Sequence, residues 1–226
     1  MWAQIVEESP RFFGYWNLLF IGEALVNTLL LSWLGACIGF GFGFLFAICR
    51  HPRLFGIWPL RIAATLYVEI FRRIPFLVKL MCVFFAFQFS GTEASLFTIA
   101  LVTVILSAAA FAAEIARAGL ESIPAPQWDA AEAMNFGRWR TLFRIAAPQS
   151  FRVVLPPLFG YTVGFIKSTS IASQIGVMEL TYAAKILNTR GFSALLCFGT
   201  ILVLYFLICW PTKHLGERLE ARLARR

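Results

Sequence analysis

The sequence predicts an all-α membrane protein of five transmembrane helices, with the N-terminus outside and the C-terminus in the cytoplasm, on three observations. Hydrophobic residues make up 59% of the 226 and charged residues only 14%, and mean hydropathy is +0.74, a balance that ordinary soluble domains do not carry. The apolar residues gather in runs close to the ~20 residues that a helix needs to cross about 30 Å of hydrocarbon. The basic residues fall in the short segments between those runs.

The first segment, 1–17, is read as extracytoplasmic. It has neither a basic start nor a small-residue cleavage site, and the apolar run behind it is too long for a signal peptide, so it is expected to be retained. Four runs qualify directly as spans: 21–48, 96–113, 153–171 and 194–210. The remaining apolar stretch, 57–89, would be about 50 Å long as one helix. Arg61, Glu69, Arg72, Arg73 and Pro75 interrupt it, which predicts a lead-in on the cytoplasmic side followed by one crossing. In the first span Gly35, Gly39 and Gly43 recur every four residues and form a stripe that permits close helix approach. Gly160 and Gly164 repeat the device in the fourth, and packing within the chain and contact with a second copy both stay open.

Orientation follows from Lys and Arg. With five crossings and the N-terminus outside, Arg50, Arg53, Arg61, Arg72 and Arg73 fall in one inner segment, and Arg117, Arg138, Arg140, Arg144 and Arg152 in the next. Lys213, Arg218, Arg222, Arg225 and Arg226 form a basic cytoplasmic tail over 213–226, leaving Arg11, Lys185 and Arg190 outside. The net charge of +8 therefore marks contact with anionic lipid headgroups, and nucleic acid is excluded because no basic face sits on a soluble fold. Cys37, Cys49, Cys82, Cys197 and Cys209 lie in or beside apolar runs without CxxC spacing, and His51 and His214 are far apart. Neither a disulfide framework nor a metal site is expected.

The most informative stretch is the polar island 119–148. Pro124 and Pro126 suit the entry to a short helix, with Asp129 and Glu132 expected in its first turns, where the macrodipole favours negative charge. Asn135 and Gly137 are expected to end it, both tolerating positive backbone angles. A second short helix carrying Arg138, Arg140 and Arg144 would follow.

Here the chain resembles a known family. The order Asp129-Ala130-Ala131, then Asn135, Ile145 and Pro148 is similar to the cytoplasmic EAA-type coupling loop of ABC importer permeases. Glu114-Ile115, Arg117, Gly119, Ser122-Ile123-Pro124, Pro148-Gln149, Arg152, Leu155-Pro156-Pro157, Lys167-Ser168-Thr169-Ser170 and Glu179-Leu180 resemble the polar amino-acid uptake subfamily, as do Glu69, Phe71-Arg72 and Pro75. Asp129 stands where the family usually has Glu, Asn135 where it has Gly, Arg73-Ile74 where it has Gly-Thr, Lys79 where it has Gln, and Ser168 where it has Asp; the last three departures bear on substrate.

The resemblance implies a type I ABC importer permease fold over 18–212 that performs no covalent chemistry. Its implied partners are ATP-binding cassette ATPase subunits, an identical or homologous permease subunit, an extracytoplasmic solute-binding protein and membrane lipid. No cofactor is expected on this chain, since ATP and magnesium belong to the ATPase. The implied location is the bacterial cytoplasmic membrane. The coupling segment would comprise Gln127, Trp128, Asp129, Ala130, Ala131, Glu132, Ala133, Met134, Asn135, Phe136, Gly137 and Arg138. The alanines would permit close approach, Trp128, Met134 and Phe136 would supply apolar knobs, and Arg138 would reach acidic groups. An amphipathic loop lying on the headgroups would also use Trp and Arg.

Ionisable groups near the spans need a partner or a wet cavity. Glu114 and Arg117 are three apart, hence neighbours on one helix face, and Glu69 has Arg72 and Arg73 within reach by similar spacing. Lys79 sits in an apolar run with no acid within one turn; it either snorkels to an interface or faces a central pathway and attracts a substrate carboxylate. Lys167, Ser168, Thr169 and Ser170 lack the Gly-rich turn of a phosphate loop. Their hydroxyls would line the substrate route or simply bond the helix backbone. An ion- or proton-coupled secondary transporter is the alternative reading, but it predicts an inverted repeat that the sequence lacks.

Overall fold

The computed structural model describes residues 2–54 and 57–223, and Arg225 and Arg226 of the expected basic tail lie outside them. The described residues are helical almost throughout, in the order α1 Trp2–Phe12, α2 Tyr15–Arg50, α3 Trp58–Arg73, α4 Phe76–Phe89, α5 Leu96–Glu121, α6 Ala125–Ala133, α7 Arg138–Thr141, α8 Ala147–Ser168, α9 Leu180–Thr189 and α10 Ala194–Leu223. A π-helix, Leu142–Ala146, joins α7 to α8, and a 3-10 helix, Thr169–Ile175, follows α8.

Among the described residues three helices, α2, α5 and α10, are long and apolar enough to cross a membrane. The apolar α4 has 14 residues. The expected fourth span is α8, which carries Arg152, Pro156, Pro157 and Lys167 and does not join those three. The break in 57–89 falls at Ile74 and Pro75: proline has no N–H to continue α3 and drives the residue before it into the extended conformation, ψ 133° at Ile74.

The chain divides into two compact units. One comprises Met1–Gly35, Pro75–Val104 and Val163–Pro211. In its core Phe12 of α1 meets Phe192 edge to face, with ring centroids 5.3 Å apart, and joins Ile21, Ala24, Leu180, Ala183, Leu187 and Ile201. A second cluster gathers Leu31, Leu80, Ala100, Ala172 and Val177. Glu179 is fully buried and starts α9 as its cap, accepting from the N–H groups of Thr181 and Tyr182 and from the Tyr205 hydroxyl.

The other unit comprises Ala36–Ile74, Ile105–Thr162 and Thr212–Arg226. A Cβ at Gly39 would lie 2.5 Å from the Ala108 Cβ, and one at Gly43 2.5 Å from the Ala112 Cβ. This part of the glycine stripe therefore packs within the chain, where only hydrogen leaves room for the α2 backbone to lie against α5. A Cβ at Gly160 would meet nothing within 4 Å, so that position packs against no neighbour among the described residues.

One expectation is corrected. The helix bearing Arg138, Arg140 and Arg144 is not a separate short one, because α7, the π-helix and α8 run on without a break from Arg138 to Ser168. Ala147 N–H bonds back to Leu142, five residues away, a wider turn that gives the Pro148 ring room where an α-turn would crowd it. The tail beyond 213 continues α10 as far as Leu223.

Candidate functional site

The short helix α6 starts as the prolines dictate. Pro124 is its N-cap residue at φ −55° and ψ 135°, and Pro126 stands in the first turn, where a missing N–H costs nothing. That turn holds no acid, so the expected dipole role of Asp129 and Glu132 is not met; both lie further along. At the other end Asn135 N–H bonds to Glu132 carbonyl and Phe136 N–H to Ala131 carbonyl, each at 2.9 Å. Asn135 sits at φ 58°, completing a left-handed helix stop. Gly137 takes no such angle; at φ −64° it is the extended residue before α7.

The two faces of α6 differ. Trp128 and Ala131 are buried, and Trp128 packs with Ala47, Ile48, Leu54, Ala116, Leu120, Ile123, Leu142 and Ala146. Trp128 is therefore part of the helix's seat and is no outward knob, because its large ring is what that apolar cluster buries. His51, just past α2, stacks on Trp128 with centroids 4.9 Å apart and planes 24° from parallel. Arg53 donates to Asp129 at 2.8 Å, and Gln149 donates to Gln127 at 2.7 Å. Ala130, Glu132, Ala133 and Met134 stay exposed, and Phe136 is half-buried, its ring under the Arg140 guanidinium. Beside them opens a groove of about 590 Å³ lined by Arg53, Asp129, Glu132, Phe136, Gly137 and Arg138, among others.

A second constellation centres on Glu114. Its Oε2 accepts from Arg50 Nη1 at 3.0 Å and lies 3.5 Å from Arg72 Nη1, while Oε1 pairs with Arg117. Arg117 also reaches Glu121 at 2.5 Å. Arg73, and not Arg72, pairs with Glu69, at 2.6 Å. Three helices, α2, α3 and α5, are thus tied at one carboxylate. The sequence indicated the local Arg117 partner by spacing; nothing in it pointed to Arg50 or to the reach of Arg72.

The other singled-out residues belong to the compact unit that does not include α6. Lys79 is buried, with Nζ 6.0 Å from the Phe76 ring centroid. Lys167 is exposed at the end of α8. Thr169 and Ser170 hydroxyls donate to the carbonyls of Ile166 and Lys167, while Ser168 is half-buried. The described residues bring no three metal-ligating side chains together.

Long apolar helices define a membrane protein, which carries on α6 a short helix with one face exposed beside a polar groove. The chain belongs to the family described as binding-protein-dependent transport system inner membrane component, whose sequence profile matches residues 39–225. It is 36% identical to the probable amino-acid ABC transporter permease protein YckA of Bacillus subtilis (strain 168), over 91% of this chain and 89% of that one. It is 34% identical to the L-cystine transport system permease protein TcyB of the same organism, over 83% and 81%. The glutamine transport system permease protein GlnP of Escherichia coli (strain K12) is 32% identical over 89% and 91%. Among solved structures, an amino acid ABC transporter crystallised with histidines superposes with a TM-score of 0.82 at 24% identity, covering 97% of both chains. The inward-facing MetNI methionine ABC transporter superposes with a TM-score of 0.78 at 20% identity, over 93% of this chain and 99% of that one. These likenesses establish the type I ABC importer permease fold.

Proposed function

We propose that this permease carries a polar amino acid or a related compound across the bacterial cytoplasmic membrane, driven by ATPase subunits that grip α6. The observation that carries the reading is the division of α6 into a buried face, Trp128 and Ala131, and an exposed face, Ala130, Ala133 and Met134. A lever must be stiffly anchored to its own subunit and accessible to the motor. The alanines admit close approach, Met134 supplies an adaptable apolar contact, and Asp129, Glu132 and Arg138 ring the groove. The names of its relatives, which cover cystine and glutamine permeases, support the substrate class.

In this reading the chain crosses five times, N-terminus outside, using α4 and α8 besides the three long helices, and the segment around Asp129 is cytoplasmic, where ATP is available. A second permease, identical or homologous, completes the passage, and an extracytoplasmic binding protein delivers the solute. ATP and magnesium stay on the ATPase. Lys79 faces the pathway and attracts carboxylate, with Lys167, Ser168, Thr169 and Ser170 further along the route; Glu69, Arg72, Arg73, Glu114 and Arg117 serve structure. The test is copurification of the tagged chain with a P-loop ATPase, then ATP-driven uptake of a panel of amino acids in proteoliposomes with the binding protein. Uptake without any ATPase would overturn the proposal.

A further inference from the structure

We propose that His51, as a neutral imidazole, is the positioning residue that seats α6 on the end of α2, and that a proton on this ring unseats the helix, so that acid uncouples transport. This rests on the reading of α6 as the coupling element. His51 is 7% exposed, its ring lies against Trp128, and its Nδ1 has no hydrogen-bond partner among the described residues. The neutral tautomer with Nδ1 unprotonated tolerates this, because an acceptor facing apolar surroundings loses one bond. The cation does not, since it buries a charge and a second N–H donor that no group accepts among the described residues.

Burial and two arginines favour the neutral form, and one carboxylate opposes them. Burial is the main influence and lowers the His51 pKa; Glu121 of α5 acts against it, while Arg53 in its own turn and Arg61 of α3 act with it. The short helix itself offers only the Trp128 ring, its Asp129 carboxylate being taken by Arg53. A cation over an indole face is attractive, but that attraction is weaker than the cost of an uncompensated buried charge. The sign follows. A histidine whose pKa falls on seating stabilises the seat fully above its ordinary value of about 6.5 and loses that contribution as pH falls below it.

Two measurements test the inference. Imidazole C2-hydrogen exchange, read by mass spectrometry on the intact permease across pH, compares His51 with the more exposed His214. His51 is expected to exchange more slowly than His214 and to titrate below the ordinary histidine value of about 6.5; equally fast exchange at His51, or titration at or above that value, would overturn the seat, whether or not an ATPase binds. ATP-driven uptake by the reconstituted complex, normalised to pH 7.5, is expected to fall about threefold or more by pH 5.5. His51→Phe, which keeps the stack without the titrating nitrogen, is expected to stay level, and His51→Gln to be reduced at both values. Parallel acid curves for wild type and His51→Phe would overturn the uncoupling. Loss of ATPase copurification at pH 7.5 would instead count against the coupling reading itself and leave the exchange result standing.

Discussion

Glu114→Gln isolates the electrostatic tie among α2, α3 and α5, because it keeps shape and removes charge. Glu114 faces Arg50 at 3.0 Å, Arg72 at 3.5 Å and Arg117, and the Arg50 side chain is only 9% exposed. Breaking a buried ion pair costs about 3–5 kcal/mol, since it leaves the partner charge uncompensated. Glu114 is 22% exposed, and Arg72 and Arg117 about a third, so solvent screening lowers this to about 2–3 kcal/mol. For a chain of this size, 1 kcal/mol shifts Tm by about 2–4 °C, which gives a drop of about 4–12 °C. Thermal melts in detergent followed by fluorescence-detected size exclusion read this directly. Glu69→Gln is the control, because its partner Arg73 is 79% exposed, and it should leave Tm unchanged. Arg50→Gln combined with Glu114→Gln should destabilise less than the two separate losses together. A Glu114→Gln protein melting within about 1 °C of wild type would refute the reasoning.

Three further outcomes follow from geometry. Gly43→Val drives a side chain into Ala112 and the backbone of Ala109 and Ala113, all under 3.0 Å away; it should cost about 1–3 kcal/mol or more, whereas Gly41→Ala, with open space around it, should leave the melting curve unchanged. Asn135→Val forces a β-branched residue to φ 58° and should cost about 1–2 kcal/mol, while Asn135→Gly should match wild type in the same melt. Lys79→Gln should lower uptake of acidic relative to neutral amino acids in competition assays, and unchanged selectivity would remove Lys79 from the pathway.

Much of this was legible because it is written locally. Proline chemistry marked the break at Pro75 and the start of α6, and the turn-forming tendency of Asn135 marked its end. The Gly39 and Gly43 spacing announced a close helix contact, though not its partner. What stayed hidden depends on residues distant in sequence. The His51–Trp128 stack and the Arg50–Glu114 pair join α2 to elements more than sixty residues away, and no periodicity reports such a meeting. The burial of Trp128 was missed for the same reason: on a nine-residue helix of weak apolar pattern, sequence alone does not say which face turns inward. The polar island ends at 148, yet no helix ends there: the π-helix Leu142–Ala146 leads straight into α8.

The central claim is that the exposed face of α6 is held by a separate ATPase. A photo-crosslinking residue at Ala133, which is exposed on α6, should trap an ATP-binding subunit in intact membranes, while the same residue at Leu202, exposed on α10, should not. Repeated failure at Ala133 in a complex that still accumulates amino acid on ATP hydrolysis would contradict the account.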